Sequence, residues 1–160
     1  MNNISMIAAI GKNNELGKDN ELIWHFKEDM KFFKEQTLGK PVIMGMKTLE
    51  SLPKILPNRQ NIVLTRRNVE LDDRILVFHS MDEILKYIED YKEEVMIIGG
   101  ASIYKQFLEY AKKLILTEID DTKPADVYFP SFNKDDYIRE VLSEHEENNI
   151  KYKHLIYTKK

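Results

Sequence analysis

The chain contains no cysteine. That excludes disulfides, thiolate nucleophiles, cysteine-held iron–sulfur clusters and cysteine zinc sites, and it is compatible with a reducing compartment. Long apolar runs are also missing. The longest, Met6–Ile10, falls far short of the ~20 residues of a membrane-spanning helix. The start of the chain lacks the basic region and cleavage site of a secretory signal. Neither sign of charge dominates: 24 Lys and Arg oppose 27 Asp and Glu, for a net charge of −3. No global basic field is available for nucleic acid. With 5 prolines and 6 glycines in 160 residues there is no low-complexity tract, repeat or linker. The expectation is a cytoplasmic protein with neither nucleic acid nor membrane as partner. What is present, 42% hydrophobic and 32% charged residues, suits one folded domain spanning residues 1–160.

The punctuation of the chain predicts alternating strands and helices. Ile4–Ile10 is apolar on both faces, as in a strand buried within a sheet. Asn13–Asn20 is polar and reads as a loop. Helical periodicity runs from Phe26 to about Thr37, ended by Gly39 and Pro41. Further strands are predicted at Pro41–Gly45, Asn61–Thr65, Arg74–His79, Val95–Ile98 and Lys113–Ile119. Helices are predicted at Lys47–Leu52, Met81–Tyr91 and Ser102–Ala111. Ser80 with Glu83 forms a capping-box pattern before the second of these. Tyr137–His145 and Tyr152–Thr158 alternate and read as an antiparallel hairpin. The expected fold is α/β, a mostly parallel sheet with helices on both faces, which binds ligands at its strand C-terminal ends.

Phe26, Met30 and Phe33 fall at i, i+4 and i+7, and Asp29 shares their face. Periodicity alone favours an edge residue or a lysine pair for Asp29. The other reading is a partly buried carboxylate awaiting a ligand, suited to an amidine-like heterocycle edge. Trp24, the only tryptophan, is either core or the wall of a pocket. Gly45 and the pair Gly99-Gly100 each stand between a strand and a helix, where backbone N–H groups can bind phosphate; such turns need glycine in any case. Lys47, Arg66 and Arg67 lie beside strand ends and are either solvated or phosphate-binding. Arg59 follows Pro57-Asn58 and either caps the turn or grips a carboxylate. His25, His79, His145 and His154 have no ligand spacing, so no metal is expected. No P-loop or G-x-S-x-G occurs, so redox chemistry would need an organic cofactor.

Taken in order, these residues resemble the bacterial dihydrofolate reductase family from end to end. The resemblance is carried by Ile4–Ala9, Leu16-Gly17, Trp24-His25, Asp29–Lys34 and Thr37–Gly45. It continues through Thr48, Glu50–Leu52, Leu56–Arg59, Asn61–Thr65, Ile97–Tyr104, Leu116–Ile119, Asp126 and Phe129-Pro130. It implies an eight-stranded sheet in a single domain, a monomer, and NADPH-dependent reduction of 7,8-dihydrofolate in support of one-carbon metabolism and thymidylate synthesis. Hydride would go to C6 of the pterin and a proton to N5. By the same resemblance Asp29, with Thr117, would hold the pterin N3 and 2-amino edge, and water admitted near Leu22 and Trp24 would protonate N5. Ile7, Ala8, Met30, Phe33, Leu52, Leu56, Ile98 and Tyr104 would line the substrate pocket, and Arg59 would pair with the glutamate tail.

For the cofactor the resemblance implies Ala9, Leu16, Gly17 and Asn20 around the nicotinamide and ribose. Gly45, Met46, Lys47 and Thr48 form one phosphate turn. Gly99, Gly100, Ala101, Ser102 and Ile103 form the other, with Ile98 and Tyr104 beside it. Leu64, Thr65, Arg66, Arg67 and His79 fall at the adenosine end, near its 2′-phosphate. The segment Asn13–Trp24 would close over the nicotinamide. The chain departs from the family at Ile23, where proline is common, at Met46, often arginine, and at Leu49, often tryptophan. The change at Met46 leaves more of the NADPH preference to Lys47 and Arg66. A pterin-like or pyrimidine reductase of the same fold, or a non-catalytic nucleotide-binding protein, would not need the set Trp24, Asp29 and Thr117.

Overall fold

A computed structural model describes residues 3–160. Eight strands form the main sheet: β1 (Ile4–Ile10), β4 (Val42–Gly45), β5 (Asn61–Leu64), β6 (Ile75–Phe78), β7 (Val95–Gly99), β8 (Lys113–Ile119), β10 (Tyr137–Glu147) and β11 (Ile150–Lys159). Their order is β10-β11-β8-β1-β7-β4-β5-β6. All pairs are parallel from β8 through to β6, and β10-β11-β8 is antiparallel. The central strands β1, β4 and β5 are short, β-branched and buried on both faces because helices cover both. Four helices, α1 (Lys27–Thr37), α2 (Met46–Ser51), α3 (Met81–Ile88) and α4 (Ala101–Phe107), alternate with the strands.

Two apolar layers sandwich the sheet. One contains Ile4, Met6, Ala8, Ile43, Leu64, Ile103, Tyr104 and Phe107. The other contains Ile7, Val42, Met44, Val63, Met96 and Ile115, with Phe32, Phe33, Leu52, Leu56 and Ile98 packed against it. Ile7 and Ala8 thus serve opposite faces, as alternation along β1 requires. The predicted cap of α3 is present: Ser80 Oγ accepts the N–H of Glu83 at 3.2 Å, and Glu83 Oε1 accepts the N–H of His79 at 3.3 Å.

The structure corrects the sequence reading of Asn13–Asn20. This segment is not simply a loop. Glu15–Lys18 (β2) pairs on one side with Glu21–Leu22 (β3) and on the other with Val127–Tyr128 (β9) in a small antiparallel sheet. Glu15 fixes it from inside. Its carboxylate is buried and accepts from Thr122 Oγ1 (2.6 Å), Asn13 N (2.7 Å) and Lys123 N (3.0 Å). Burial raises the carboxyl's proton affinity, but these bonds outweigh it and hold the group below the ordinary glutamate range.

Candidate active site

Strand register assembles the first part of the site. Ala9 on β1, Thr117 on β8, His154 on β11 and Ser143 on β10 form one row across the sheet. Helix α1 lies over this row. Its N-cap residue Phe26 offers no side-chain cap. Glu147 of β10 substitutes, accepting the N–H groups of Lys27 (3.0 Å) and Glu28 (3.2 Å). The Phe26 ring stacks on Tyr152 with centroids 4.5 Å apart, and the Phe32 ring stacks on His154 at 3.9 Å.

These contacts decide where Asp29 points. Sequence periodicity places Met30 on the apolar face with Phe26 and Phe33, but Met30 is 63% exposed. Phe32 takes its place against the sheet, and at 100° per residue Asp29 then sits between Phe26 and Phe32 on the inward arc. Its side chain is 21% exposed. Oδ1 accepts a short hydrogen bond from Thr117 Oγ1 and lies 3.1 Å from His154 Nε2. Thr117 and His154 are both buried. Sequence reasoning had named Thr117 but weighed His154 only as a metal ligand. Its alternation with Tyr152 and Ile156, inward-facing neighbours on β11, was the available signal.

A second part of the site lies across the cleft. Ile7, Phe33, Leu52, Leu56 and Ile98 share one apolar cluster. Arg59 stands at its far end. Its Nε donates to Thr37 Oγ1 (2.9 Å) and Nη1 to Pro57 O (2.8 Å); among the described residues Nη2 has no hydrogen-bond partner. Ala8 lies in the opposite layer, so only its backbone can border this cleft.

The third part is made by the paired strand ends of β4 and β7. The Gly99–Gly100 peptide is cis, and Gly99 has φ +130°. A Cβ at Gly99 or Gly100 would come within 3.4 Å of Thr48 Oγ1, and one at Gly45 within 3.1 Å of Ile103. Helices α2 and α4 begin there without side-chain caps. Their first N–H groups thus face the turns. Ala101 and Ser102 begin α4, and Met46, Lys47 and Thr48 begin α2. Tyr104, buried beneath Gly99, donates its hydroxyl to Ile7 O at 2.6 Å. That burial pushes the phenol well above its ordinary range.

Thr65, at the end of β5, accepts the N–H of Arg67 (3.2 Å), and His79 Nδ1 lies 2.9 Å from Thr65 O. Arg66 is exposed beside them. Leu64 and Leu16 pack in the layer opposite the substrate-side cluster. Gly17 belongs to β2, and Asn20 lies exposed between β2 and β3 with φ +60°. Leu22 is 60% exposed, whereas Trp24 is buried and donates Nε1–H to Asp121 Oδ2 at 3.0 Å. A groove of about 940 Å³ lies elsewhere, between Ile10–Lys12, Phe132 and the strands β10 and β11. It is lined by charges of both signs and by Tyr152, and contains neither Asp29, Thr117, Arg59 nor the glycine turns, so chemistry rather than volume locates the site.

Residues 3–159 match the family model described as dihydrofolate reductase. The chain is 38% identical to the dihydrofolate reductase of Haemophilus influenzae, covering 98% of both chains. It is also 38% identical to that of Bacillus subtilis, covering 98% of this chain and 95% of the relative. Its fold superposes on Enterococcus faecalis dihydrofolate reductase complexed with NADP(H) with a TM-score of 0.86 at 31% identity, covering 98% and 95% of the two chains. The chain belongs to the dihydrofolate reductase family.

Proposed function

We propose that this chain, a monomeric single domain in the cytoplasm, reduces 7,8-dihydrofolate to 5,6,7,8-tetrahydrofolate with NADPH, feeding one-carbon metabolism and thymidylate synthesis. The observation that carries the reading is the inward carboxylate of Asp29, tied to Thr117 and borne on a helix whose Phe32 and Phe33 pack against the second apolar cluster. With Oδ1 occupied by Thr117, Oδ2 accepts from N3 and the 2-amino group of the pterin. A carboxylate offers two acceptor oxygens, so one can be held by protein and the other by ligand.

Ile7, Phe33, Leu52, Leu56 and Ile98 enclose the rings, with Met30 at the rim. Arg59, pre-oriented by Thr37 and Pro57, leaves Nη2 for the α-carboxylate of the tail. Exposed Leu22 gives water a path to N5, and Trp24 stays fixed behind it. General acid delivery of this kind contributes ~10²–10⁴-fold.

NADPH, when bound, supplies the hydride that reaches C6. The chain fits that cofactor because a Cβ would fill both glycine turns, so backbone N–H groups can approach a diphosphate. Lys47, Thr48 and Ser102 flank those turns. Thr65, Arg66, Arg67 and His79 surround the 2′-phosphate, and Ala9 with the β2–β3 segment borders the nicotinamide.

The test is spectrophotometric. Purified protein should consume NADPH only when dihydrofolate is supplied, with one tetrahydrofolate formed per NADPH oxidised. No dihydrofolate-dependent loss of reduced-nicotinamide absorbance would overturn the reading.

A further inference from the structure

The substrate-binding acid has a second buried partner, and that partner is wired outward. His154 Nε2 lies 3.1 Å from Asp29 Oδ1, and the ring is 3% exposed. Its Nδ1 lies 3.4 Å from Ser143 Oγ, and Ser143 Oγ lies 2.8 Å from His145 Nε2. His145 is half-buried and lines the large groove. A carboxylate only accepts hydrogen bonds, so Nε2 of His154 carries a hydrogen whenever Asp29 is ionised.

The rest of the chain can be satisfied in two senses. With His154 neutral, His145 donates to Ser143 and Ser143 donates to Nδ1. With His154 protonated, Nδ1 donates to Ser143 and Ser143 donates to His145. Either way no buried polar atom is stranded, and among the described residues none is unsatisfied.

Every element around the imidazole has been placed. Helix α1 contributes Asp29, the Phe32 ring and, farther along, Glu28, which acts on Tyr152. Strand β8 contributes the hydroxyl of Thr117. From β10 come Ser143, His145 and Glu147, the last engaged with Tyr152 and the start of α1. Along β11 the Tyr152 ring stands edge-on at 5.6 Å. Lys153 and Glu118 alternate with this row and face the other side of the sheet, where Glu118 meets Tyr157.

We propose that His154 is a positioning residue for the reductase reaction, which holds Asp29 Oδ1 so that Oδ2 faces the pterin and couples Asp29 to solvent protons through Ser143 and His145. This rests on the reading of Asp29 as the substrate-binding acid. A donor on the carboxylate favours its ionised form. Removing the donor moves the pH dependence of the reaction upward.

The experiment uses the full chain. The ¹⁵N resonances of the His154 ring are recorded at one pH in ligand-free wild type and Asp29→Asn, and single-turnover hydride transfer from NADPH to dihydrofolate is followed against pH in wild type, His154→Phe and His154→Gln. In the wild type Nε2 is expected to resonate as the hydrogen-bearing nitrogen, and Asp29→Asn, which replaces the carboxylate acceptor, is expected to move that resonance. His154→Phe keeps the stack on Phe32 but loses the N–H, and should displace the hydride-transfer profile to higher pH. His154→Gln restores a neutral donor and should lie between the two.

An Nε2 resonance indifferent to Asp29→Asn overturns the proposal. So does a His154→Phe profile superimposable on wild type, even with a lowered thermal midpoint, because that combination is a purely structural role. If His154→Phe does not fold, the glutamine variant decides: a shifted profile upholds the proposal and coincidence overturns it. Undiminished turnover in Asp29→Asn would instead sink the underlying reading of Asp29.

Discussion

Glu147 and Tyr152 meet diagonally across the hairpin near its closed end, and the tyrosine hydroxyl donates to the carboxylate that caps helix α1. The hairpin thereby aims a helix distant in sequence, and Asp29 lies within the helix's first turn. The Tyr152 bond, then the N–H groups of Lys27 and Glu28, hold the Glu147 carboxyl below the usual glutamate range. A depressed folded value means stability that is complete above the unfolded value near 4.5 and lost as pH falls through the folded one. Glu147→Gln should therefore lower the thermal midpoint at neutral pH and flatten its acid dependence. Thermal melts between pH 3 and 7 check this; parallel curves for the two proteins would remove Glu147 from the acid response.

Asp29→Asn keeps the shape of the side chain and a hydrogen-bond acceptor for Thr117 but removes the charge. Turnover should fall about 10²-fold or more, while NADPH binding, read by cofactor fluorescence, should change less than threefold. Equal losses in both would mean that the substitution disturbs the sheet rather than the pterin edge.

Much of this arrangement can be read from local pattern. The buried strands β1, β4, β5 and β8 are legible because a run apolar on both faces suits a strand covered twice. The Ser80–Glu83 cap is legible because its partners are three residues apart. What could not be read depends on distant pairing. Residues 15–18 form a strand only because Val127–Tyr128 lies beside them, and Glu15 looks like loop polarity until Thr122 and Lys123 reach it. Met30 satisfies helical spacing as well as Phe32 does, and only the position of His154 decides between them. Spacing with Tyr152 and Ile156 puts His154 on the inward face of its strand but does not show its partners, since Asp29 and Ser143 lie on separate elements.

Arg59 makes two bonds within the chain that fix its plane. Arg59→Ala should raise KM for dihydrofolate about 10–100-fold, the range of one charge-assisted hydrogen-bonded pair, with a smaller effect on kcat. A dihydropterin lacking the glutamate tail should show little difference between the two proteins. Steady-state kinetics with both substrates separates a tail clamp from a general loss of folding, since the latter would penalise both alike.

At the adenosine end, Arg66 is exposed beside Thr65 and His79, whereas Arg67 lies 3.6 Å from Glu50. Arg66→Ala should weaken NADPH about tenfold and NADH hardly at all, because only the former carries the 2′-phosphate. Titration of both nucleotides at two salt concentrations checks it. Equal weakening would assign the phosphate contact to another side chain.

Gly11 ends β1 where the chain turns into the small sheet. A Cβ there would lie 2.5 Å from both Trp24 Cη2 and Glu15 Oε1. Neither neighbour can retreat cheaply: the indole is buried and pinned to Asp121, and the carboxylate is buried and held by three donors. Gly11→Ala should therefore cost about 1–3 kcal/mol, the usual penalty of overpacking, and shift the β2–β3 segment that borders the nicotinamide. Because Trp24 is the only tryptophan, its fluorescence reports on this contact alone. Urea unfolding should show a lower midpoint with unchanged slope, and the folded baseline should change in intensity. Wild-type stability together with wild-type emission would mean that the turn opens freely, and that Trp24 does not brace the segment over the cofactor.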